Sequence, residues 1–200
     1  MSLTFVRATA LTIGVVACCP GIGQAQAVVS WLDDPKPASW NRSGLPIPTA
    51  PKTLGAVDAR CRALARPPQL EEDERLRDQG WDLVGAYQGG WQILVIRGAA
   101  SYDGMCRPRQ YQDFVFVRRV FAGTLSPGVM DSRTDGALAR VSLENERRIL
   151  AEYQRYAAAD PLCCPSRTTR IVFEIAQDAP VVRPVSASTS DGRQTAGSRR

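Results

Sequence analysis

Residues 81–97, WDLVGAYQGGWQILVIR, contain two apolar segments separated by Gln88-Gly89-Gly90. Glycine readily supplies the positive φ that tight turns require, so this spacing predicts an antiparallel hairpin whose turn lies at the glycines. DFVFV and VFAGTL predict a second hairpin around Arg118-Arg119, although two arginines are unfavourable in a tight turn. ALARVSL and TRIVFEIA predict two further strands. The second half of the chain is therefore expected to form an antiparallel meander.

Two short helices are predicted before these strands. Apolar residues at helical spacing indicate a helix over residues 55–66 with Cys61 on its buried face. From Gln69 to Gln79 acidic residues precede basic ones and Gly80 follows, which is typical of a second helix. We therefore predict an α+β fold, with two short N-terminal helices packed on an antiparallel β-meander that is supported by disulfides.

The composition divides the chain into four parts. Residues 1–27 combine a basic start, a short apolar run and the small-x-small ending Ala25-Gln26-Ala27, which predicts a secretory signal peptide. Prolines indicate an extended lead-in over residues 28–52, which its tryptophans hold against the domain surface. A single globular domain is expected over residues 53–183 and a disordered tail over residues 184–200. The early apolar run is too short for a bilayer-spanning helix, so no transmembrane segment is expected after signal cleavage.

The cysteines bear on the cellular compartment. Cleavage after Ala27 leaves an even set that can form structural disulfides in an oxidising compartment. This set is Cys61, Cys106, Cys163 and Cys164. The alternative is that Val15-Val16-Ala17-Cys18 is a lipobox, with Cys18 as the lipid-bearing first residue. The protein is thus expected to be secreted or periplasmic, or alternatively lipid-anchored to the membrane through Cys18.

Adjacent cysteines in DPLCCPS, residues 160–166, have four interpretations. A bond between neighbours is geometrically strained. A zinc site or a thioredoxin-like redox pair would use Cys-x-x-Cys spacing or histidine, and neither spacing nor histidine is present. We predict instead that Cys163 and Cys164 bind different partners, one Cys61 and the other Cys106.

The residue types exclude much catalytic chemistry. The chain has no histidine and no lysine after Lys52, so imidazole-based triads and lysine nucleophiles are absent from the predicted domain. Carboxylate chemistry remains open, and four acids are candidates for it. These candidates are Asp131, Asp135, Glu152 and Glu174. We predict no catalytic, cofactor-binding or metal-binding residue.

Three polar or aromatic patterns are interpreted structurally. DSRTDG, residues 131–136, resembles a calcium loop in part, but Arg133 and Ser142 occupy ligand positions, which favours a hydrogen-bonded turn. Tyr102-Asp103-Gly104 is interpreted in the same way. The aromatic residues of the first hairpin could form a sugar-stacking strip, but such a strip is more often core. These aromatics are Trp81, Tyr87 and Trp91.

FAGTLSP, DSRTDG, AEYQRYAAADPLCCPS and RTTRIVFEI together resemble the LppP/LprE lipoproteins of bacteria, with the similarity covering residues 114–175. This resemblance implies that ILAEYQRYA, residues 149–157, is a strand leading into the Cys-Cys-Pro loop, although its apolar periodicity favours a helix. It implies no catalytic residue.

The expected function is that of a non-enzymatic binding module in the envelope or outside the cell, with an unknown partner. We expect a monomer without a cofactor. Interleaved acidic and basic residues argue against nucleic-acid binding. The alternatives are a carboxylate-dependent enzyme acting on glycan or cell wall, and an inhibitor-like protein that presents a rigid loop.

Overall fold

A computed structural model describes residues 30–52, 56–161, 163–176 and 178–192 of the chain. The predicted signal peptide and Cys18 lie outside these residues. The described elements are a 3-10 turn (Trp31–Asp33), α1 (Ala56–Arg62), α2 (Glu71–Asp78), β1 (Asp82–Leu83), β2 (Gln88–Gly90), β3 (Ile93–Tyr102), β4 (Pro108–Val117), β5 (Val120–Thr124), β6 (Met130–Asp131), β7 (Ala137–Asn145), β8 (Arg148–Arg155), β9 (Arg167–Ala176) and β10 (Val181–Asp191).

The strands form two antiparallel sheets that pack face to face. In the first sheet the order is β1-β3-β4-β5, with β2 paired to β3 and β6 to β4, and in the second it is β10-β9-β8-β7. Side chains from both sheets meet in one apolar core. Its large members include Ile93, Tyr111, Val115, Leu125, Ile149, Tyr153, Ile171 and Phe173.

The other two faces of this sandwich differ. The outer face of the first sheet is covered by α2 and the chain around it, where Leu76 and Trp81 pack with Phe114. The outer face of the second sheet is open, so burial alternates residue by residue along β8. The protein is therefore β-rich, and the prediction of an α+β fold is correct only in its antiparallel sheets, short helices and disulfide. With seven and eight residues, the helices cover one face and do not form a layer of their own.

The first hairpin was predicted correctly as a hairpin, but its turn was misplaced. Gln88, Gly89 and Gly90 form β2 and pair with β3, so the turn consists of Trp91 and Gln92. Side chains of β3 alternate between the sandwich core and the face covered by α2, so the strand is buried on both sides from Ile93 onward. Because β3 starts at Ile93 and pairs with Gly90, the turn falls after the glycines. The second hairpin has its turn at Arg118-Arg119 as predicted.

Two further segments test the sequence patterns. Residues 148–155 form β8, so the strand that the family resemblance implied is confirmed against the helical periodicity. The predicted tail from residue 184 is wrong as far as Asp191, because β10 continues to that residue in register with β9. Backbone pairing stabilises this polar strand even though it carries few apolar side chains.

The proline-rich lead-in is fastened to the sandwich by specific contacts. Asn41 is buried between the sheets, where its Nδ2 donates to the carbonyl oxygens of Thr124 (2.9 Å) and Val182 (2.9 Å). Its Oδ1 accepts from the Thr124 amide at 3.0 Å. Gly123, at φ +127°, leaves room for this amide, because a Cβ there would lie 2.2 Å from the Asn41 Cγ. One side chain thus joins the edge strands of both sheets.

A charged contact fastens the start of the lead-in at the end of β8. The buried Arg155 donates to both carboxylate oxygens of Asp33, at 2.6 and 2.8 Å. The hydrogen bond from Arg155 lowers the pKa of Asp33. Trp31 and Trp40 pack edge to face at 5.1 Å and contact the sandwich core beside this pair. The lead-in is therefore part of the domain surface.

Candidate functional site

Hairpin turns from both sheets meet at one end of the sandwich around a groove of about 460 Å³. We call this the turn-end groove. Side chains of the β2–β3, β4–β5 and β7–β8 turns line it, together with the end of β9. Its lining includes Trp91, Gln92, Val117, Arg118, Val120, Glu146 and Ile175.

The backbone of two of these turns is unusual for the residues it carries. Trp91 and Gln92 have φ 53° and 61°, and Arg118 and Arg119 have φ 50° and 68°. Consecutive positive φ values define the mirror-image turns that match the twist of a hairpin, and these turns favour Asn-Gly. Left-handed backbone costs a residue with a side chain roughly 1–2 kcal/mol relative to the right-handed form. Both turns thus carry large side chains at positions where glycine or asparagine would be more stable.

The side chains on the groove combine an apolar surface with hydrogen-bonding groups. Trp91 is 62% exposed and Val120 is 52% exposed, so two large apolar side chains lie open beside each other on this groove. Arg118 donates through Nε to the Gln92 side chain at 3.2 Å, which links the two turns. Glu146 is exposed on the facing β7–β8 turn and forms a 3.7 Å ion pair with Arg147. The groove therefore offers one aromatic face beside a cation, an anion and an amide.

A smaller cleft of about 220 Å³ lies at the opposite end of the sandwich, centred on Asp103. Asp103 accepts hydrogen bonds from the Met105 amide and from Arg107, and Arg133 lies 3.5 Å from its carboxylate. Burial alone would raise the pKa of Asp103, but the hydrogen bonds from Arg107 and nearby amides lower it to about 2. The Asp103 carboxylate is thus paired with two arginines and with backbone amides.

The turn 131–136 lies beside Asp103. The Asp131 amide donates to Asp135 at 2.8 Å, and Asp131 accepts from the Arg133 amide at 2.9 Å. The prediction of a hydrogen-bonded turn is confirmed, and Arg133 also pairs with Asp103 across the cleft. Within the described ranges, no cluster of three or more histidine, cysteine or acidic side chains could hold a metal ion.

An ion pair between the half-buried Arg97 and the buried Asp113 lies where the cleft meets the core. Arg97 donates to Asp113 at 2.9 Å and to the Leu138 carbonyl at 2.8 Å, and its guanidinium lies 5.1 Å from the Tyr111 ring centre. Burial raises the pKa of Asp113, and Arg97 opposes this shift. Burial also raises the pKa of Tyr111, whose hydroxyl bridges Gly136 and Leu138. These contacts join the two sheets and leave no free base at this position.

The four candidate acids do not form a catalytic pair. Asp131 and Asp135 are occupied by the turn that they close. Glu152 and Glu174 lie on the open face of the second sheet and bind Arg170 at 2.7 Å and Arg148 at 3.1 Å. The register separates them by four residues along the strands, about 13 Å. None of the four lines the turn-end groove.

The three aromatics of the first hairpin do not form a continuous strip, and the favoured interpretation as core holds for Trp81 alone. Trp81 is 1% exposed and packs edge to face on Phe114 at 5.1 Å, so it is core. Tyr87 lies beside Arg66, whose guanidinium is 5.8 Å from the ring centre. Trp91 alone of the three reaches the turn-end groove. The sequence signal for this site is the unfavourable composition of the two turns, which is visible in the sequence at Arg118-Arg119 because that turn is predicted in its correct place.

The cysteines pair differently from the prediction. Cys61 bonds Cys106, with their Cα atoms 5.1 Å apart, and Cys163 bonds Cys164. Cys61 is fully buried against Ala99 and Tyr102, which places α1 beside the loop after β3. The two cysteines of the β8–β9 loop are bonded to each other and not to Cys61 or Cys106. The proposed cross-links from this loop to Cys61 and Cys106 are therefore wrong, while all four cysteines do form disulfides.

Two packed antiparallel sheets, a disulfide-linked helix and a groove between hairpin turns define a small β-sandwich domain. Residues 91–178 match the family model of the LppP/LprE lipoproteins, which confirms the resemblance seen in the C-terminal half. The match begins at Trp91 and contains both the Arg118-Arg119 turn and the Cys-Cys-Pro loop. Comparison with curated proteins and with solved structures gave no match.

The lipoprotein-family match and the intramolecular Cys61–Cys106 disulfide together indicate an exported protein. None of the helices in the described part of the chain is long and apolar enough to cross a bilayer.

Proposed function

We propose that this chain is a non-enzymatic binding module of the bacterial envelope or exterior, and that its turn-end groove binds a glycan. The observation that carries the proposal is the presence of Trp91 in a left-handed turn with 62% of its surface exposed. Both features oppose stability, since the residue neither suits its backbone nor buries its ring. Local strain of this kind is often retained at sites of function.

The chemistry of the groove supports a sugar as its ligand. A pyranose presents an apolar face of C–H groups and a rim of hydroxyls that both donate and accept hydrogen bonds. The Trp91 ring supplies a flat apolar surface, Arg118 supplies donors and Glu146 supplies an acceptor, all on one groove. Turns held by a rigid sandwich are a common place for binding residues.

The cellular location is part of the same proposal. We place the mature protein in the periplasm or outside the cell, with cleavage after Ala27. Lipid attachment at Cys18 is the alternative. The intact mass of the mature protein separates the two, since acylation adds the mass of its lipid chains and retains residues 18–27.

Binding to purified bacterial peptidoglycan tests the proposal, by co-sedimentation and by titration with soluble glycan fragments. Trp91→Asn removes the ring but suits the turn, so lost binding would not result from misfolding. We expect at least a tenfold weaker affinity, equivalent to about 1.4 kcal/mol. Met105→Ala is the matched control, because Met105 is 75% exposed at the opposite end of the sandwich.

Wild-type protein that binds no glycan fragment, or Trp91→Asn that binds as tightly as Met105→Ala, would contradict the proposal. Turnover of the glycan into shorter fragments would identify an enzyme in place of a binding module.

A further inference from the structure

The loop between β8 and β9 carries a disulfide between neighbouring residues, Cys163 and Cys164. We propose that this pair is a redox-active site that exchanges electrons with a dithiol, separately from glycan binding. The proposal rests on three observations: the exposure of both cysteines, the other contacts that hold their loop, and the contrast with the less accessible Cys61–Cys106 disulfide of the same chain.

Access distinguishes the two disulfides. Cys163 and Cys164 are both exposed and belong to none of the hydrophobic clusters of the described residues. Cys61 is 0% exposed and packs against Ala99 and Tyr102, and its partner Cys106 is half-buried. Thiol–disulfide exchange requires an attacking thiolate to approach a sulfur atom, so accessibility favours reaction at the exposed pair.

The exposed disulfide has little structural role. A disulfide stabilises mainly by closing a loop of the unfolded chain, and neighbouring residues enclose almost no chain. Asp160 already holds the loop, because its carboxylate accepts from the Ala157 amide at 2.7 Å and from the amide and hydroxyl of Ser166, both at 2.8 Å. The ends of the loop thus stay together whether or not Cys163 and Cys164 are bonded.

The reaction transfers two electrons and two protons. A thiolate of the dithiol attacks one sulfur of the pair, breaks the S–S bond and forms a mixed disulfide, and the released cysteine takes up a proton. The second thiol of the reductant then attacks the mixed disulfide. The dithiol leaves oxidised, and Cys163 and Cys164 remain as two thiols. The reductant is a dithiol of a partner protein or of a small molecule.

Differential alkylation under native conditions tests the proposal with dithiothreitol as the dithiol. The oxidised protein is equilibrated at increasing reductant concentrations, alkylated and mapped by peptide mass. We expect Cys163 and Cys164 to be alkylated together at a reductant concentration at least tenfold below that required by Cys61 and Cys106. After removal of the reductant in air, the same pair should re-form.

Two variants separate a redox site from a merely structural bond. Cys163→Ser/Cys164→Ser should unfold within about 2 °C of the wild type, whereas Cys61→Ser/Cys106→Ser should unfold at a clearly lower temperature. Cys164→Ser alone should let Cys163 form a stable mixed disulfide with oxidised glutathione. Reduction of both disulfides at the same concentration, a large loss of stability in the first double variant, or no mixed disulfide would each overturn the proposal.

Discussion

Replacing Asn41 with alanine should destabilise the domain strongly, because this side chain joins the edge strands of the two sheets. It makes three short hydrogen bonds with backbone groups, two to Thr124 and one to Val182. Truncation leaves the Val182 carbonyl and the Thr124 amide without this partner, while the Thr124 carbonyl keeps its hydrogen bond from the Trp40 indole at 3.1 Å. Removing one partner of a buried hydrogen bond costs about 1–3 kcal/mol, less where water enters the space.

We therefore expect Asn41→Ala to lower the free energy of unfolding by about 3 kcal/mol, a large share of the 5–15 kcal/mol typical of a domain. The assay is urea unfolding followed by tryptophan fluorescence, with a fall in the midpoint at unchanged slope. Arg42→Ala is the control, since Arg42 is the exposed neighbour on the same segment. A difference between the two variants below about 0.5 kcal/mol would refute the reasoning.

Asn41→Asp provides a check on the mechanism. At neutral pH a carboxylate would face the carbonyl oxygens of Thr124 and Val182, so burial and repulsion would raise its pKa. Its protonated form can donate one hydrogen bond. The destabilisation relative to wild type should therefore be larger at pH 7 than near pH 4, and a pH-independent loss would argue against this contact.

Three further results are expected. Because its surroundings lower the pKa of Asp103 to about 2 from 3.8, the charged form stabilises the fold above pH 4, and this contribution is lost as the pH falls toward 2; Asp103→Asn should flatten the dependence of Tm on pH in that range. Gln92→Gly should raise the free energy of unfolding by roughly 0.5 kcal/mol in urea titrations, since glycine tolerates the φ of 61° but loses more entropy on folding. Loss of the Cys61–Cys106 bond, which spans 45 residues, should cost about 4 kcal/mol by chain entropy, so Cys61→Ser/Cys106→Ser should unfold at much lower urea; an unchanged midpoint would argue against the pairing.

Local patterns predict the strands well because the alternation of apolar and polar residues can be seen within a single strand. Apolar residues alternate in TRIVFEIA, and the structure places β9 there with the same alternation of burial. Position along the sheet was harder, since one residue of slip changes which side chains face the core. The glycines 88–90 looked like the turn, but the register of β3 places the turn at the next two residues.

Long-range pairing could not be read from the sequence. Four cysteines allow three connectivities, and the choice depends on where α1 and the β8–β9 loop lie in space. The groove escaped prediction for a similar reason, since Trp91 and Glu146 are distant in the chain and meet only because hairpins of both sheets end at the same level. The composition of one turn is informative, because two consecutive arginines are unfavourable in the tight turn that the sequence predicts at Arg118-Arg119.

The Asp33–Arg155 contact fixes the end of the sandwich at which the N-terminal segment joins it. Arg155 is the last residue of β8, whereas the β7–β8 turn, which contains Glu146 and lines the groove, precedes the first residue of β8. Arg155 and this turn therefore lie roughly 25 Å apart along the strand. The chain before residue 30 thus joins the sandwich at the end opposite the turn-end groove. If that segment is tethered to a bilayer, the groove lies at the end of the domain away from the tether and can reach a polymer beyond the membrane surface.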